Sequence, residues 1–192
     1  MLLKILFKIL RRVEIFQRQN RTKYVKFLNP GFTISDRTVF GKYFNLLVIG
    51  NQCKLTISEN VIFRNNCSVT LVNDGDLTIG QNVFFNNNCS VNCMENIRIG
   101  DNTIFGEAVK LYDHNHQIEK ENIRLKIHGD KFTTQSINIG DNCWIGSDVV
   151  ILKGVNIGNN AVIGAGSLIY KSVEPNSIIK AKVETITISY SK

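Results

Sequence analysis

The stretch INIGDNCWIGSDVVILKGVNIGNNAVIGAGSLIYK, residues 137–171, places an isoleucine at every sixth position, from Ile139 through Ile145, Ile151, Ile157 and Ile163 to Ile169. A period of six is neither the repeat of an amphipathic helix nor the alternation of an ordinary strand. It predicts short strands joined by tight bends, with one apolar side chain per strand directed into a shared interior. Three such sides make a coil of eighteen residues, the step from Ile139 to Ile157. Gly140, Gly146, Gly158 and Gly164 each follow an interior isoleucine. They are expected at bends that favour small residues or a positive φ, as are the neighbouring Asn and Asp.

Outward from this stretch, the pattern returns with irregular steps. LTISENVIFRNNCSVTL (55–71), LTIGQNVFFNNNCSVNC (77–93) and IRIGDNTIFGEAVKLYD (97–113) repeat the same opening. Ile57 to Ile79 is a longer coil and Ile79 to Ile99 a slightly longer one, which predicts small insertions at corners. Ile99 to Ile139 holds one coil and a long excursion beginning after Leu111. The excursion is charged and is expected to pack on a neighbour.

The totals fit this picture. The chain has 192 residues and 43% hydrophobic content, enough for one domain and a short appendage. No apolar run reaches the roughly 18–20 residues that span a bilayer. Cys53, Cys67, Cys89, Cys93 and Cys143 are odd in number and lack CxxC spacing, which argues against a disulfide framework or a zinc site and for reduced thiols. The net charge of +7 comes entirely from residues 1–26, where Lys4, Lys8, Arg11, Arg12, Arg18, Arg21, Lys23 and Lys26 face a single acid, Glu14. The body is therefore neutral, and a nucleic-acid partner loses its support.

That basic segment has a helical apolar stripe, Leu2, Leu6, Ile9, Val13 and Phe16, with Lys4, Lys8 and Arg11 on other faces. Two destinations fit it. The favoured one is packing on the chain's own body or on a neighbouring subunit, because Leu, Ile and Phe on a short helix are commonly core. The other is peripheral contact with an anionic membrane surface. The domain reading is a basic amphipathic segment at 1–27, a solenoid domain at 28–178 with its excursion at about 113–136, and a tail at 179–192. The expected location is the cytoplasm, or the inner face of the membrane if the helix is a surface device.

Over residues 45–178, and above all in IGDNCWIGSDVVILKGVNIGNNAVIGAGSLIYKSV, the chain resembles the hexapeptide-repeat acyltransferases, in the branch of sugar and polysaccharide O-acetyltransferases. The resemblance implies an all-β solenoid, a left-handed parallel β-helix, although general crossover rules favour the other hand. It also implies acetyl-CoA as donor, a sugar acceptor, a homotrimer and no metal. The acceptor is expected to be a surface polysaccharide or its precursor. One departure stands at the end of the chain. VEPNSIIKAKVETITISYSK keeps only AKV of the Gly-Asn-Pro-Ala-Lys-Val-Ile-like stretch seen in the family.

Residue by residue, matching V-x-L-x-x-x-x-His to VKLYDHNH implies His116 as general base. An acceptor hydroxyl is a poor nucleophile at neutral pH, and an imidazole with its ordinary pKa near 6.5 can take the proton as the oxygen attacks a thioester. Asp113 or a backbone carbonyl is expected to hold the other ring nitrogen. His114 is expected to orient the acceptor or the base, and His128 to be a solvated histidine of the excursion. The resemblance further implies Ser147 near the developing oxyanion, Asn88 at the acceptor with Asn86 and Asn87 as competitors, and Trp144, Gly146, Ala165, Gly166 and Lys171 along the coenzyme A groove. Trp144 fits an interface equally well.

Other readings remain. A free sugar or an antibiotic as acceptor fits the same chemistry. A γ-type carbonic anhydrase needs three histidines on adjacent coils and across a subunit boundary, which the DHNH spacing does not supply. A non-catalytic solenoid for assembly or ligand binding is the third class.

Overall fold

A computed structural model describes residues 13, 16, 17, 20–121 and 123–181. Its strands wind into three parallel sheets over about six turns. The first face runs from Thr33–Ile34 through Lys54–Ile57, Asp76–Ile79, Asn96–Ile99 and Ile137–Ile139 to Asn156–Ile157. The second runs from Val39–Phe40 through Ile62–Phe63, Phe84–Phe85, Ile104–Phe105, Trp144–Ile145 and Val162–Ile163 to Ile178–Ile179. The third runs from Asn45–Ile49 through Ser68–Val72, Ser90–Cys93, Lys110–Tyr112 and Val150–Leu152 to Leu168–Ile169.

The register is the one the six-residue period predicts. Ile57, Ile79, Ile99, Ile139 and Ile157 form one interior column. Phe63, Phe85, Phe105, Ile145 and Ile163 form the second, and Val69, Val91, Leu111, Ile151 and Ile169 the third. The Phe63–Phe85 and Phe85–Phe105 rings stack 4.5 Å apart and nearly parallel. The coils begin one turn before the repeat becomes plain in the sequence. Ile34 already pairs with Ile57, and Phe40 with Phe63, although Ile34 is followed by Ser35 where later coils carry a glycine.

The bends divide their work between two residue types, and of the two reasons expected for the glycines it is the need for a small residue that holds. The left-handed conformation falls two residues after the glycine, on Asn102, Asn142 and Asn160 at the first corner and on Ala108, Asp148 and Gly166 at the second, with Asn88 in the equivalent place two residues after Asn86. Asparagine tolerates this conformation better than most side chains. Gly140, Gly146 and Gly158 are instead required by close stacking. A Cβ on Gly140 would lie 2.2 Å from Asn159 Oδ1, and one on Gly158 would lie 2.4 Å from the Pro175 nitrogen. Side chains also bridge the coils. The amides of Gln81, Asp101 and Asp141 donate to the carboxyl or amide oxygens of Asp101, Asp141 and Asn159 at 2.8, 2.8 and 2.9 Å.

Insertions do not scatter over the corners. From Ile57 to Phe63 to Val69, from Ile79 to Phe85 to Val91, and from Ile99 to Phe105 to Leu111, each side keeps its six residues. All surplus residues leave at the third corner, between the third face and the first. The longest surplus is a two-stranded antiparallel hairpin, His114–Glu121 and Arg124–Thr134. It carries Ile118, Ile123, Leu125 and Ile127 exposed to solvent.

The outer surfaces differ sharply. Outward positions of the first face are Thr33, Thr56, Thr78, Arg98, Asn138 and Asn156. Those of the second are apolar in every coil: Val39, Ile62, Phe84, Ile104, Trp144, Val162 and Ile178.

Residues 20–28 form a helix at the start of the solenoid, and residues 13, 16 and 17 are helical too. The Thr22 hydroxyl donates to Thr38 O at 2.8 Å, Arg21 Nε donates to Phe40 O at 3.0 Å, Lys26 pairs with Asp36, and Val25 packs on the core. The favoured destination of the apolar stripe on the chain's own body does not hold where the stripe is described. Val13 and Phe16 are 46% and 64% exposed. Leu2, Leu6 and Ile9, and the tail at 182–192, lie outside the described residues.

Candidate active site

The third corner assembles the histidines. Asp113 closes the third face of its coil and is fully buried. Its carboxylate accepts the Met94 amide at 2.9 and 3.0 Å and the Glu95 amide at 2.8 Å. Met94 and Glu95 are themselves the surplus residues of the coil below, so one insertion supplies the donors for the next. A buried carboxylate requires such partners. Burial first, and then the Asp113 carboxylate, push the neighbouring Cys93 thiol above its ordinary range.

The two predicted holders of the base are both present, on different histidines. His114 Nδ1 lies 3.0 Å from Asp113 Oδ1, and His116 Nδ1 lies 3.0 Å from the His128 carbonyl oxygen. Asp113 therefore holds His114 and not His116. Each acceptor assigns the hydrogen to Nδ1 and leaves a lone pair on Nε2. The environments differ. The His114 side chain is 17% exposed, its ring set edge-on to Tyr112 and Phe132. His116 is exposed and leans on Phe132 with centroids 4.6 Å apart.

His128 is not solvated as expected. Its side chain is 10% exposed and its Nε2 lies 3.0 Å from Glu119 Oε2, an ion-pair contact without hydrogen-bond alignment. His128 in turn holds the Glu119 carboxyl below the usual carboxylate range. Phe132 stands opposite His116 across the hairpin, so both strands shape the ring's position.

Five further residues fix the hairpin to the solenoid. The Gln135 amide donates to Asp113 O at 2.9 Å, Lys153 Nζ donates to Thr133 Oγ1 at 2.6 Å, and the Ser136 hydroxyl donates to Glu95 Oε1 at 2.8 Å. The Thr134 hydroxyl, and then Ser136, hold the Glu95 carboxyl below its usual range. Sequence reasoning missed Glu95, Thr133, Gln135 and Lys153. They come from three coils, and no spacing links them; only the shared third-corner insertion point could have found them.

The remaining predicted residues sit at the second corner. The Ser147 hydroxyl oxygen accepts the Glu107 amide at 3.1 Å and keeps its own hydrogen to donate. Asn87 and Asn86 are engaged: Asn87 accepts the Asn65 amide and donates to Glu107, and Asn86 accepts from Arg64. Asn88 is exposed, at φ 64°, with no side-chain bond among the described residues. Of the three asparagines it is the most exposed. Gly146 is buried under the next coil, where a Cβ would lie 2.6 Å from the Ala165 nitrogen, so stacking accounts for its size. Ala165 and Gly166 are exposed, and nothing approaches a Cβ position on Gly166 within 4 Å. Trp144 projects from the second face, 57% exposed. Lys171 lies at the third corner with its Nζ 5.7 Å from the Tyr170 ring centroid.

Within one chain the site thus falls into two groups. Asp113, His114, His116 and Lys171 belong to the third corner; Asn88, Ser147, Ala165 and Gly166 belong to the second. The third face separates them. Among the described residues, no three His, Cys, Asp or Glu side chains are grouped for a metal ion. All five cysteines are free thiols.

Residues 136–171 match the family model described as bacterial transferase hexapeptide (six repeats). No curated protein sequence matches the chain. Among solved structures, the polySia-specific acetyltransferase NeuO is similar with a TM-score of 0.57 and 21% identity, over 82% of this chain and 80% of that one. AntD, an N-acyltransferase from Bacillus cereus solved with dTDP-4-amino-4,6-dideoxyglucose and Coenzyme A, is similar with a TM-score of 0.63 and 16% identity, over 88% of this chain and 90% of that one. At these identities the likeness is one of fold. The stretch whose six-residue period dictated the solenoid is the stretch the family model matches, and the chain shares the fold of known acyltransferases.

Proposed function

We propose that the protein transfers an acetyl group from acetyl-CoA to a hydroxyl of a sugar, a surface polysaccharide or its precursor, with His116 as general base. The observation that carries this reading is the tautomer lock on His116. Its Nδ1–H donates to a backbone carbonyl, and in that tautomer the Nε2 of this exposed residue carries the lone pair. The acceptor hydroxyl gives its proton to Nε2 as its oxygen bonds to the thioester carbonyl carbon. The carbonyl oxygen becomes an oxyanion, for which Ser147 retains a hydroxyl hydrogen. Collapse expels the coenzyme A sulfur, which takes the proton back from His116. A positioned base of this kind contributes about 10²–10⁴-fold.

A homotrimer completes the site in this reading. The second face offers an unbroken apolar column from Val39 to Ile178, and the hairpin offers Ile118, Leu125 and Ile127. A two-stranded hairpin is marginal by itself in water, so its apolar side chains call for a neighbour. Packing copies together would bring the second corner of one chain, with Ser147 and Gly166, to the third corner of the next, with His116. Trp144 then serves the interface as well as the donor groove.

One observation favours a second assignment of the base. His114 has a buried carboxylate on Nδ1, the stronger orienting partner. Its ring is largely covered by Tyr112 and Phe132, so an acceptor reaches His116 first. The function is tested by thiol release from acetyl-CoA against a panel of surface glycans and free sugars. Glycan-dependent release supports it; coenzyme A binding with no turnover on any hydroxyl acceptor contradicts it.

A further inference from the structure

We infer that the N-terminal helix is a docking surface for an anionic lipid bilayer, with the solenoid carried behind it. The helix has two unlike sides. One is committed to the body through Arg21, Thr22, Val25 and Lys26. The other presents Tyr24 and Phe27, three residues apart, with Leu28 beside them, and in the sequence Val13 and Phe16 fall at the same helical spacing and are likewise exposed. Phe16 and Phe27 are 64% and 80% exposed. In the sequence the same spacing continues back through Ile9, Leu6 and Leu2, while Lys4, Lys8 and Arg11 fall on the opposite side of the period. An apolar face backed by cations is the pattern of a helix lying in a membrane interface.

Charge decides between the occupants of this face. Residues 1–26 hold eight basic side chains and one acid, and the remaining chain is balanced. A second copy would bring the same positive segment and a neutral body, with no acidic excess to meet it. A nucleic acid would meet the cations but offers nothing apolar to Phe16, Tyr24 and Phe27. An anionic bilayer satisfies both, its headgroups the cations and its acyl boundary the aromatic and aliphatic side chains. No described helix is long and apolar enough to cross a membrane, so the contact is with the surface. The inference is independent of which acyl group or acceptor the solenoid handles.

The test is co-sedimentation of the full-length protein with phosphatidylcholine vesicles, with and without about 30% phosphatidylglycerol, at about 0.05 M and 0.5 M salt. The comparison is a Phe16→Ser/Phe27→Ser variant, whose exposed positions keep folding unaffected. The expected result is binding at least about tenfold stronger to the anionic vesicles, release at high salt, and loss in the variant with melting temperature and sedimentation coefficient unchanged. Absence of binding to anionic vesicles overturns the inference, whatever other polyanion the protein holds. Equal binding to neutral vesicles or retained binding in the variant does the same. A variant that drops to a smaller assembly assigns the face to a second copy instead.

Discussion

The coils and the hairpin are both β-structure, but they are held by different means. In the coils each side chain that points inward meets its equivalent one turn away, and each corner amide finds a side chain or carbonyl in the next coil. Nothing there can move without its neighbours, which is how stacked repeats share one core. The hairpin from His114 to Thr134 has only one partner strand at every point, and its apolar side chains face solvent. It is tied down at its base, through Asp113, Glu95, Gln135 and Lys153. The lesson is a separation of tasks. The solenoid provides rigidity that tolerates no variation over two of its corners, and the third corner accepts insertions that carry the histidines.

This contrast can be broken from either side. The largest expected effect is in the phenylalanine stack. Phe85→Ala, between Phe63 and Phe105, should cost about 3–5 kcal/mol of stability in denaturant titration, because no side chain nearby can fill the space. A corner substitution should cost less. Asn102 holds φ 57° and accepts the Asn82 side-chain amide at 3.0 Å. Asn102→Ala should lose about 1–2 kcal/mol, with Asn102→Gly recovering most of the conformational part.

Equivalent changes in the hairpin should leave the fold alone and act on assembly. Leu125→Ser with Ile127→Ser is expected to change the far-UV spectrum little, while sedimentation shifts from trimer to smaller species. Retention of the trimer would show that those side chains have no neighbour. The smallest effect is on the hairpin's anchor and depends on pH. The Glu95 carboxyl lies below its ordinary value of 4.5 in the folded chain. Its contribution is therefore full above the unfolded carboxylate range and is lost as pH falls through the folded value. Glu95 is largely solvent-facing, so less than about 1 kcal/mol is at stake. Amide exchange in residues 114–134 should accelerate in acid, beyond the intrinsic pH effect, and Glu95→Gln should flatten that dependence.

The division between coils and hairpin also explains what the sequence disclosed. The column register from Ile57 to Ile157 followed from the repeated opening of each coil and, from Ile139 onward, from counting sixes, because a solenoid places equivalent residues at equivalent depths. Ser147, Trp144 and the histidines were singled out by the resemblance of single coils to the motifs of hexapeptide-repeat acyltransferases. The partners of those residues were not legible. Asp113 as holder of His114, the His128 carbonyl as holder of His116, and the Glu95–Ser136 anchor depend on how a hairpin folds back over a corner. That path is set by unequal insertions in successive coils, which no fixed period records. The glycines illustrate a subtler limit. Their position was evident, but close stacking against the next coil and an unusual φ leave the same residue in the sequence.

The central claim, that an outward-facing imidazole on this hairpin drives acyl transfer, is tested most directly by His116→Ala beside His114→Ala in the thiol-release assay, with coenzyme A binding measured on each. The account predicts at least about a hundredfold loss of turnover for His116→Ala with donor affinity nearly intact, and a smaller loss for His114→Ala. Full turnover by His116→Ala, or a larger loss in His114→Ala, would contradict it.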